Sequence, residues 1–301
     1  MSLTAFLLIF ASVFLHATWN MLSKSNKPSM AFYSIMAVTA SLLWLPFFFI
    51  SKVDFLHLPW PFYLFLLISI FGEVIYMLGL ARAYKFSDIS YVYPVVRALP
   101  VLLIAAVTLI FHLGARPSNM ALLGMLIIVV GCLMMPLKNF RDFAWKRYIN
   151  KTIFFILLGA CGTTLYTLFD SRAIAFVRKS MGNQVTLIDT LAYLFLMEFG
   201  LLLGELIFLL FSRRERILFM ELIRKPVTPI ISGVCGSAAY ALILLSMAFV
   251  TNVSYIQAFR QMSLPIGFFA GVLILKERAA IPKLMGLLLI VAGLVMISLF
   301  R

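Results

Sequence analysis

The sequence predicts an all-α integral membrane protein with ten transmembrane helices, built as two inverted five-helix repeats. Three observations support this prediction: the composition, the spacing of apolar segments and a repeated sequence pattern. Of the 301 residues, 63% are hydrophobic and 12% are charged, and the mean hydropathy is +1.07. These values lie far outside the range of soluble domains, so the chain is predicted to reside in a lipid bilayer.

The apolar segments have the length that a membrane requires, since a helix needs about 20 apolar residues to cross the hydrocarbon core. The first segment has no positively charged residues before it, and we therefore expect a helix and not a cleavable signal. Cys132, Cys161 and Cys235 fall within spans without CxxC spacing, and we expect them to be buried packing residues. The predicted spans are 2–22, 30–51, 61–81, 89–111, 119–137, 152–170, 185–211, 229–250, 253–275 and 282–300.

Two stretches of the chain look like copies of each other. ARAYKFSDISYVYPVVRALP (81–100) and MAFVTNVSYIQAFRQMSLP (247–265) both place a Ser-Tyr pair ahead of an arginine and a proline. The stretches that follow them also match, because each carries two glycines seven residues apart. These glycines are Gly124 and Gly131 in the first copy, and Gly286 and Gly293 in the second.

A duplicated unit of five helices has a consequence for topology. Because five is odd, the two units must cross the membrane in opposite orientations, related by a pseudo-two-fold axis in the membrane plane. We predict a first repeat over residues 1–137, a basic linker over 138–151 and a second repeat over 152–301. Such symmetry is typical of transporters that work by alternating access.

The distribution of basic residues predicts the orientation. Of the 25 Lys and Arg residues, seventeen lie near loops that follow odd-numbered spans, six lie on the opposite side, and Arg97 and Arg260 lie inside spans. The positive-inside rule places the seventeen in the cytoplasm and both termini outside. The net charge of +14 is therefore interpreted as a topology signal and not as a nucleic-acid surface.

These features together resemble the drug/metabolite transporter superfamily, in particular its EamA-like ten-helix members. The resemblance covers essentially the whole chain and rests on the paired repeats, the short polar turns and the ending LKERAAIPKLMGLLLIVAGLVMI (275–297). It implies a central cavity lined by the first four helices of each half, with helices five and ten at the periphery. The first repeat has Ala115 where the second has Glu277, and we expect Glu277 to form a surface ion pair with Lys276 or Arg278.

The stretch YVYPVVRALP places Pro94, Arg97 and Pro100 deep in the fourth predicted helix, about 8 to 17 Å from its start. Each proline frees a backbone carbonyl, which lipid does not tolerate unless protein or a water-filled cavity satisfies it. An arginine at that depth costs several kcal/mol, of order 3, unless it faces such a cavity or a carboxylate. We therefore predict a broken helix that lines a cavity, with Arg97 pointing inward.

The ninth predicted helix repeats this arrangement, with Arg260 ahead of a helix-breaking Pro265. Two cations near the midplane favour an anionic group between them, such as a carboxylate or phosphate, because guanidinium groups bind these with two parallel hydrogen bonds. The alternative is that each arginine neutralises a buried glutamate. Glu73 in the third helix is the candidate partner of Arg97.

Other polar and aromatic side chains within spans complete the candidate site. His16, Trp19 and Asn20 share one helical face, although a lone histidine is also common as a hydrogen-bonded interior residue. Glu198 is the deepest acidic residue of the seventh span, with Asp189 and Glu205 closer to its ends. The predicted proton-coupling residues are Glu73, Glu198 and His16. The predicted substrate-binding residues are Arg97, Arg260, Glu73, Tyr76, Trp19, Asn20, Tyr93, Tyr240 and Gln257.

The sequence favours a secondary transporter in function, an exporter or exchanger of a small anionic or zwitterionic metabolite such as an amino acid or organophosphorus compound. It carries no Walker A pattern for ATP and no HExxH or GxSxG motif, so an enzyme, a cofactor and a metal site are not expected. A flippase for a lipid-linked phosphate intermediate is the alternative. We expect a multi-pass protein of a bacterial-type inner membrane, monomeric or weakly dimeric, with protons or a counter-solute as a possible driving partner.

Overall fold

A computed structural model of the chain describes residues 2–25, 29–86, 89–137, 139–140, 151–184, 186–273 and 280–300. Most of the linker 138–151 and the Glu277 ion pair lie outside these residues. The described residues form twelve α-helices and two short 3₁₀ turns. The helices are α1 (Leu3–Ser25), α2 (Met30–Ile50), α3 (Trp60–Phe86), α4 (Ile89–Ile110), α5 (Asn119–Met134), α6 (Lys151–Ser180), α7 (Leu187–Phe211), α8 (Arg213–Ile223), α9 (Val227–Ser246), α10 (Val253–Phe259), α11 (Ser263–Leu273) and α12 (Ile281–Leu299).

Eight of these helices are long and apolar enough to cross a membrane: α1, α2, α3, α4, α6, α7, α9 and α12. Helix α5 is also apolar but has only 16 residues. The protein is therefore an integral, multi-pass membrane protein. Helix α8 was not predicted: it contains no buried residue and exposes Ile217 and Met220 beside its arginines, as expected for a helix that lies along a membrane surface.

The ninth predicted span is not one continuous helix. It is divided into α10 and α11 by a 3₁₀ turn over Arg260–Met262. Pro265 has no N–H to donate to the carbonyl group of Gln261, which accounts for the interruption. The matching break expected in the fourth span is absent, because α4 is helical from Ile89 to Ile110 through Pro94 and Pro100.

Four pairs of helices make the closest contacts: α3 with α6, α5 with α12, α2 with α7, and α1 with α9. Glycines allow the backbones to approach in two of these pairs. A Cβ atom on Gly131 would lie 2.6 Å from the carbonyl oxygen of Gly286, and a Cβ atom on Gly286 would lie 2.6 Å from that of Gly131. Small residues at such crossings are typical of membrane helix packing.

Two groups of contacts show which helix ends share a face of the protein. The amide of Ser2 donates to the carbonyl oxygen of Phe249 at 3.2 Å, and the hydroxyl of Ser118 donates to the carbonyl oxygen of Phe300. The amide of Ala115 donates to the carbonyl oxygen of Thr251 at 3.0 Å and joins these two regions, so both described chain ends lie at the same face. At the opposite face, Glu215 of α8 accepts a hydrogen bond of 3.0 Å from the amide of Ala31 at the start of α2.

The cysteines only partly follow the prediction. Cys132 is buried and Cys235 is half-buried, but Cys161 is exposed on the surface of α6. A small apolar side chain is tolerated on a surface that faces lipid, so burial was not required there.

Candidate functional site

A polar cavity lies between α1, α2, α3, α4, α6, α7, α9 and the 3₁₀ turn at Arg260. The space open to the centre of a water molecule is about 60 Å³, enough for several waters. Its wall combines charged and aromatic side chains that are rarely found in lipid-facing positions. They include His16, Trp19, Tyr33, Glu73, Tyr76, Arg97, Tyr166, Glu198, Tyr240 and Arg260.

The carboxyl groups of Glu73 on α3 and Glu198 on α7 both face this cavity. Within the described residues, neither one forms an ion pair or a hydrogen bond with another side chain. The predicted pair between Glu73 and Arg97 is therefore wrong. Arg97 instead donates to the backbone of the ninth span where that helix is interrupted, because the interruption exposes a carbonyl oxygen that a continuous helix would not offer.

Arg97 is buried at 7% exposure and holds the helix break in place. Its Nη2 donates to the carbonyl oxygen of Arg260 at 2.6 Å, and its Nε donates to Oε1 of Gln261 at 3.3 Å. Nε2 of Gln261 in turn donates to the carbonyl oxygen of Arg97 at 3.2 Å. Arg97 thus satisfies a carbonyl group at the 3₁₀ turn and joins α4 to the ninth span.

Arg260 is held much more loosely. Its Nη1 and Nη2 each lie 3.5 Å from the hydroxyl of Tyr166, and Nη1 lies 3.4 Å from Oε1 of Gln257. These distances are at the long end for hydrogen bonds. The guanidinium also lies over the ring of Tyr240, 5.9 Å from its centroid, within cation–π range. Of the two arginines, Arg260 therefore has the greater freedom to bind a ligand.

Asp170 on α6 is a buried carboxylate just beyond the cavity wall, and it was not among the site residues predicted from the sequence. It accepts hydrogen bonds from the hydroxyls of Ser69 and Tyr240 and from that of Tyr193 at 2.6 Å. These partners come from α3, α9 and α7. Asp170 therefore ties four helices together and fixes the position of Tyr240, the ring that lies against Arg260.

A row of aromatic rings forms one side of the cavity. Tyr76 packs edge-on against Tyr166 with centroids 5.9 Å apart, and Tyr166 packs in the same way against Tyr240 at 5.6 Å. The three rings come from α3, α6 and α9. Such a wall suits an apolar ring face of a ligand as well as a cation.

The structure separates the predicted substrate-binding residues into two groups. Trp19, Glu73, Tyr76, Arg97, Tyr240 and Arg260 line the cavity. Asn20, Tyr93 and Gln257 lie behind it: Asn20 donates to the carbonyl oxygen of His16 at 2.7 Å, and the guanidinium carbon of Arg97 lies 5.5 Å from the ring centroid of Tyr93. The second group supports the first and does not face the cavity.

The remaining acidic residues of α7 differ from one another. Thr186 caps the start of α7, since its hydroxyl accepts from the amide of Asp189 at 3.1 Å and donates to the Asp189 carboxylate. Asp189 also accepts a hydrogen bond of 2.7 Å from the hydroxyl of Ser51, so its role is structural. Glu205 was expected near the helix end, yet it is 0% exposed, and neither oxygen has a hydrogen-bond partner in the described chain.

Replacing Arg97 by glutamine is expected to destabilise the protein. The change removes two charge-assisted hydrogen bonds, one to the carbonyl oxygen of Arg260, which keeps Ser263 as a donor, and one to Oε1 of the buried Gln261. The expected cost is about 1–3 kcal/mol. The measurement is the thermal unfolding midpoint of the purified protein in detergent. Arg260→Gln serves as the matched control, because its longer contacts predict a smaller loss; an equal loss in both variants would contradict the assignment.

Comparison with known proteins places the chain in a family. A crystal structure described only as "Crystal structure of protein" superposes with a TM-score of 0.68 at 15% identity, covering 99% of this chain and 98% of that one. At this identity the similarity shows the fold alone. No curated protein matches the chain. A family model described as "Sugar transport protein" matches residues 22–300. Because this match spans nearly the whole chain, the protein belongs to the sugar transport protein family.

Proposed function

We propose that this protein is a secondary transporter that moves a small polar solute by alternating access around the cavity. The observation that carries the proposal is the cavity itself, where two guanidinium and two carboxyl groups face the same space without pairing with each other. Charged groups inside a membrane are costly and mark the path of a substrate or ion. Membership of the sugar transport protein family supports the same function.

We further propose that the chain crosses the membrane ten times, as two inverted repeats within the EamA-like branch of the drug/metabolite transporters. The pattern of helix contacts supports this. If α1, α2, α3 and α5 of the first half correspond to α6, α7, α9 and α12 of the second, exchanging the halves turns the pair α1–α9 into α6–α3. The same exchange leaves the pairs α2–α7 and α5–α12 unchanged. Neither α5 nor α12 contributes a residue to the cavity wall, in agreement with their peripheral position in that branch. The termini are proposed to lie outside a bacterial-type inner membrane.

The proposed substrate is a sugar or a sugar derivative that carries an acidic group. Carboxyl oxygens of Glu73 and Glu198 are acceptors for hydroxyl groups, and the rings of Tyr76, Tyr166 and Tyr240 provide a surface for the apolar face of a sugar ring. The loosely held guanidinium of Arg260 favours an anionic group on the same solute. An amino acid or an organophosphorus compound satisfies the same pair of charges and is the second candidate.

The present cavity is too small for such a solute, since ligand pockets are usually about 300–1,000 Å³. Transport therefore requires the helices around it to separate during each cycle. Proton binding by Glu73 or Glu198 is the proposed source of coupling, because both carboxyl groups face the cavity and neither has a hydrogen-bond donor among the described residues. His16 is less suited to this role, since both of its ring nitrogens already face donor groups.

A flippase is disfavoured by the surroundings of the cavity. An apolar groove between α1, the broken span and α12 is lined by residues such as Phe6, Phe10 and Pro265. Among the described residues, none lines both this groove and the polar cavity. A lipid headgroup would need a continuous lateral path from one to the other, whereas a small solute would not.

The test is uptake of radiolabelled solutes into proteoliposomes that contain the purified protein. We expect a sugar or sugar acid to accumulate when a pH gradient is imposed. Either Glu73→Gln or Glu198→Gln should abolish the response to the gradient, because an amide binds no proton at this site. Glu221→Gln, an exposed change on α8, is the matched control and should transport normally. If uptake by the wild-type protein is the same with and without the pH gradient, the proposed proton coupling is wrong. If no solute is taken up at all, the proposed transport function is wrong.

A further inference from the structure

The imidazole of His16 lies between two side chains that can only donate hydrogen bonds. Nε1 of Trp19 donates to Nδ1 at 3.0 Å, and Nη1 of Arg97 contacts Nε2. An indole N–H and a guanidinium N–H have no acceptor atoms. All three side chains line the cavity, so the arrangement is open to whatever enters it.

No protonation state of His16 satisfies both neighbours. A neutral imidazole has one N–H and one acceptor nitrogen, and an imidazolium has two N–H groups and no acceptor. His16 can therefore accept from Trp19 or from Arg97, but not from both. In either neutral form, one N–H of the ring points at another N–H with no acceptor between them.

Trp19 determines which neutral form is present. Its Nε1 is a single donor at a normal hydrogen-bond distance, and His16 is its only hydrogen-bond acceptor in the described chain. Arg97, in contrast, keeps the carbonyl oxygen of Arg260 and the side chain of Gln261 as partners whatever His16 does. The ring should thus accept from Trp19 at Nδ1 and carry its proton on Nε2, which leaves two N–H groups, from His16 and Arg97, directed at the same point.

We propose that this point is the binding position of an oxyanion of the transported solute, a carboxylate or phosphate oxygen that accepts from Nε2–H of His16 and from Nη1 of Arg97 together. The oxygen would enter the contact and replace an unfavourable donor–donor approach by two hydrogen bonds, one of them charge-assisted. The inference deepens the proposed function by placing the acidic group of the substrate at His16 and Arg97, with the guanidinium of Arg260 as a further cation in the same cavity. It rests on that function only for the statement that the bound molecule is transported.

The position also explains the separate roles of the neighbouring groups. Trp19 orients the ring without touching the oxyanion, and is thus a positioning residue. Asn20 donates to the carbonyl oxygen of His16 at 2.7 Å and supports the helix turn that carries the ring. Arg97 is held through Nε and Nη2, and because its guanidinium is a rigid planar fork, Nη1 stays in place. Room for the oxygen therefore comes from a shift of α1, which carries His16 and Trp19 together.

The experiment reads the ring nitrogens directly, by ¹⁵N NMR of histidine-labelled full-length protein in nanodiscs. The His57→Asn, His112→Asn double variant leaves His16 as the sole histidine, since the chain has three. Without ligand we expect the form with the proton on Nε2, and Trp19→Phe should give a mixture of both neutral forms. Acetate and inorganic phosphate should move the Nε2 resonance and leave Nδ1 in place, whereas glycerol, a neutral polyol, should move neither.

A second series of variants, with substitutions at His16 itself, tests the proposal independently of whether Trp19→Phe folds. His16→Leu should weaken phosphate binding about tenfold, which corresponds to one hydrogen bond to a charged group, and His16→Gln should weaken it less because its amide can donate from a similar position. A proton on Nδ1 in the free protein, an Nε2 signal that neither anion moves, or an equal response to glycerol would each overturn the proposal. The NMR result does not depend on transport, so failure of the transporter function alone would leave it intact.

Discussion

Asp170→Leu is expected to be among the most destabilising single changes in the protein. The substitution removes the acceptor for the buried hydroxyls of Tyr193 and Tyr240. It leaves the hydroxyl of Ser69 with only a long contact of 3.4 Å to the carbonyl oxygen of Tyr166. A buried donor left without a partner costs about 1–3 kcal/mol, so the free energy of unfolding should fall by several kcal/mol, about 3 to 6. The measurement is the unfolding midpoint in detergent, together with the fraction of protein that elutes as a single species.

Two further variants separate the hydrogen bonds from the bulk of the side chain. Asp170→Asn keeps the size and one acceptor oxygen, and should recover about half of the lost stability. Asp54→Leu removes a carboxylate from an exposed loop, where the side chain is 65% accessible, and should leave the midpoint unchanged. If Asp170→Leu unfolds at the wild-type temperature, the three hydroxyls have found other acceptors and Asp170 does not join the four helices.

Gly162→Leu is expected to prevent formation of the folded protein. A Cβ atom at Gly162 would lie 2.5 Å from the carbonyl oxygen of Gly72 and 2.6 Å from the amide nitrogen of Tyr76. Both are backbone atoms of α3, which cannot move aside without separating α3 from α6. Overpacking of a tightly packed core costs about 1–3 kcal/mol even where neighbouring side chains can adjust. At Gly162 the nearest atoms belong to the backbone, so no side-chain adjustment can relieve the clash.

Gly236→Ala is the matched control for this prediction. Its added Cβ atom would meet the flexible end of Met36 at 3.4 Å and the ring of Trp19 at 3.7 Å, both ordinary contact distances. The variant should therefore be recovered as a single species in wild-type yield. The readout is size-exclusion chromatography of both variants after identical expression and extraction. Wild-type yield and elution of Gly162→Leu would show that α3 and α6 do not pack through this contact.

The membrane class and most helices could be predicted because apolar segments of sufficient length leave few alternatives. The interruption of the ninth span was harder to place, since Pro94, Pro100 and Pro265 give the same local signal. The chain continues as a helix through the first two and breaks only ahead of Pro265. At the break, Arg97 of α4 donates to the carbonyl oxygen of Arg260 and to the side chain of Gln261, beside the carbonyl group that Pro265 leaves without its helical donor. The position of the break thus involves contacts from another helix, which the local sequence does not show.

The candidate site was also predicted only in part from the sequence. Arginines and glutamates deep in apolar spans indicated a cavity correctly, because their burial cost leaves little choice of surroundings. The partner of each charged side chain could not be predicted from the sequence. Glu73 was expected beside Arg97, but Arg97 binds Gln261 and a carbonyl oxygen instead. Asp170 was overlooked because the sixth span was predicted to end there, whereas α6 continues to Ser180 and buries this carboxylate.

The contact between α5 and α12 has a mechanical consequence. Gly124 and Gly131 meet Gly293 and Gly286 reciprocally, backbone against backbone. The side chains of Ile128, Ile290 and Ile297 lie over these glycines, where an added Cβ atom would be 2.7 to 2.9 Å from them. These side chains would have to be withdrawn before one helix could turn against the other. If the two halves rotate against each other during transport, we therefore expect α5 and α12 to stay together as one unit while the helices around the cavity move.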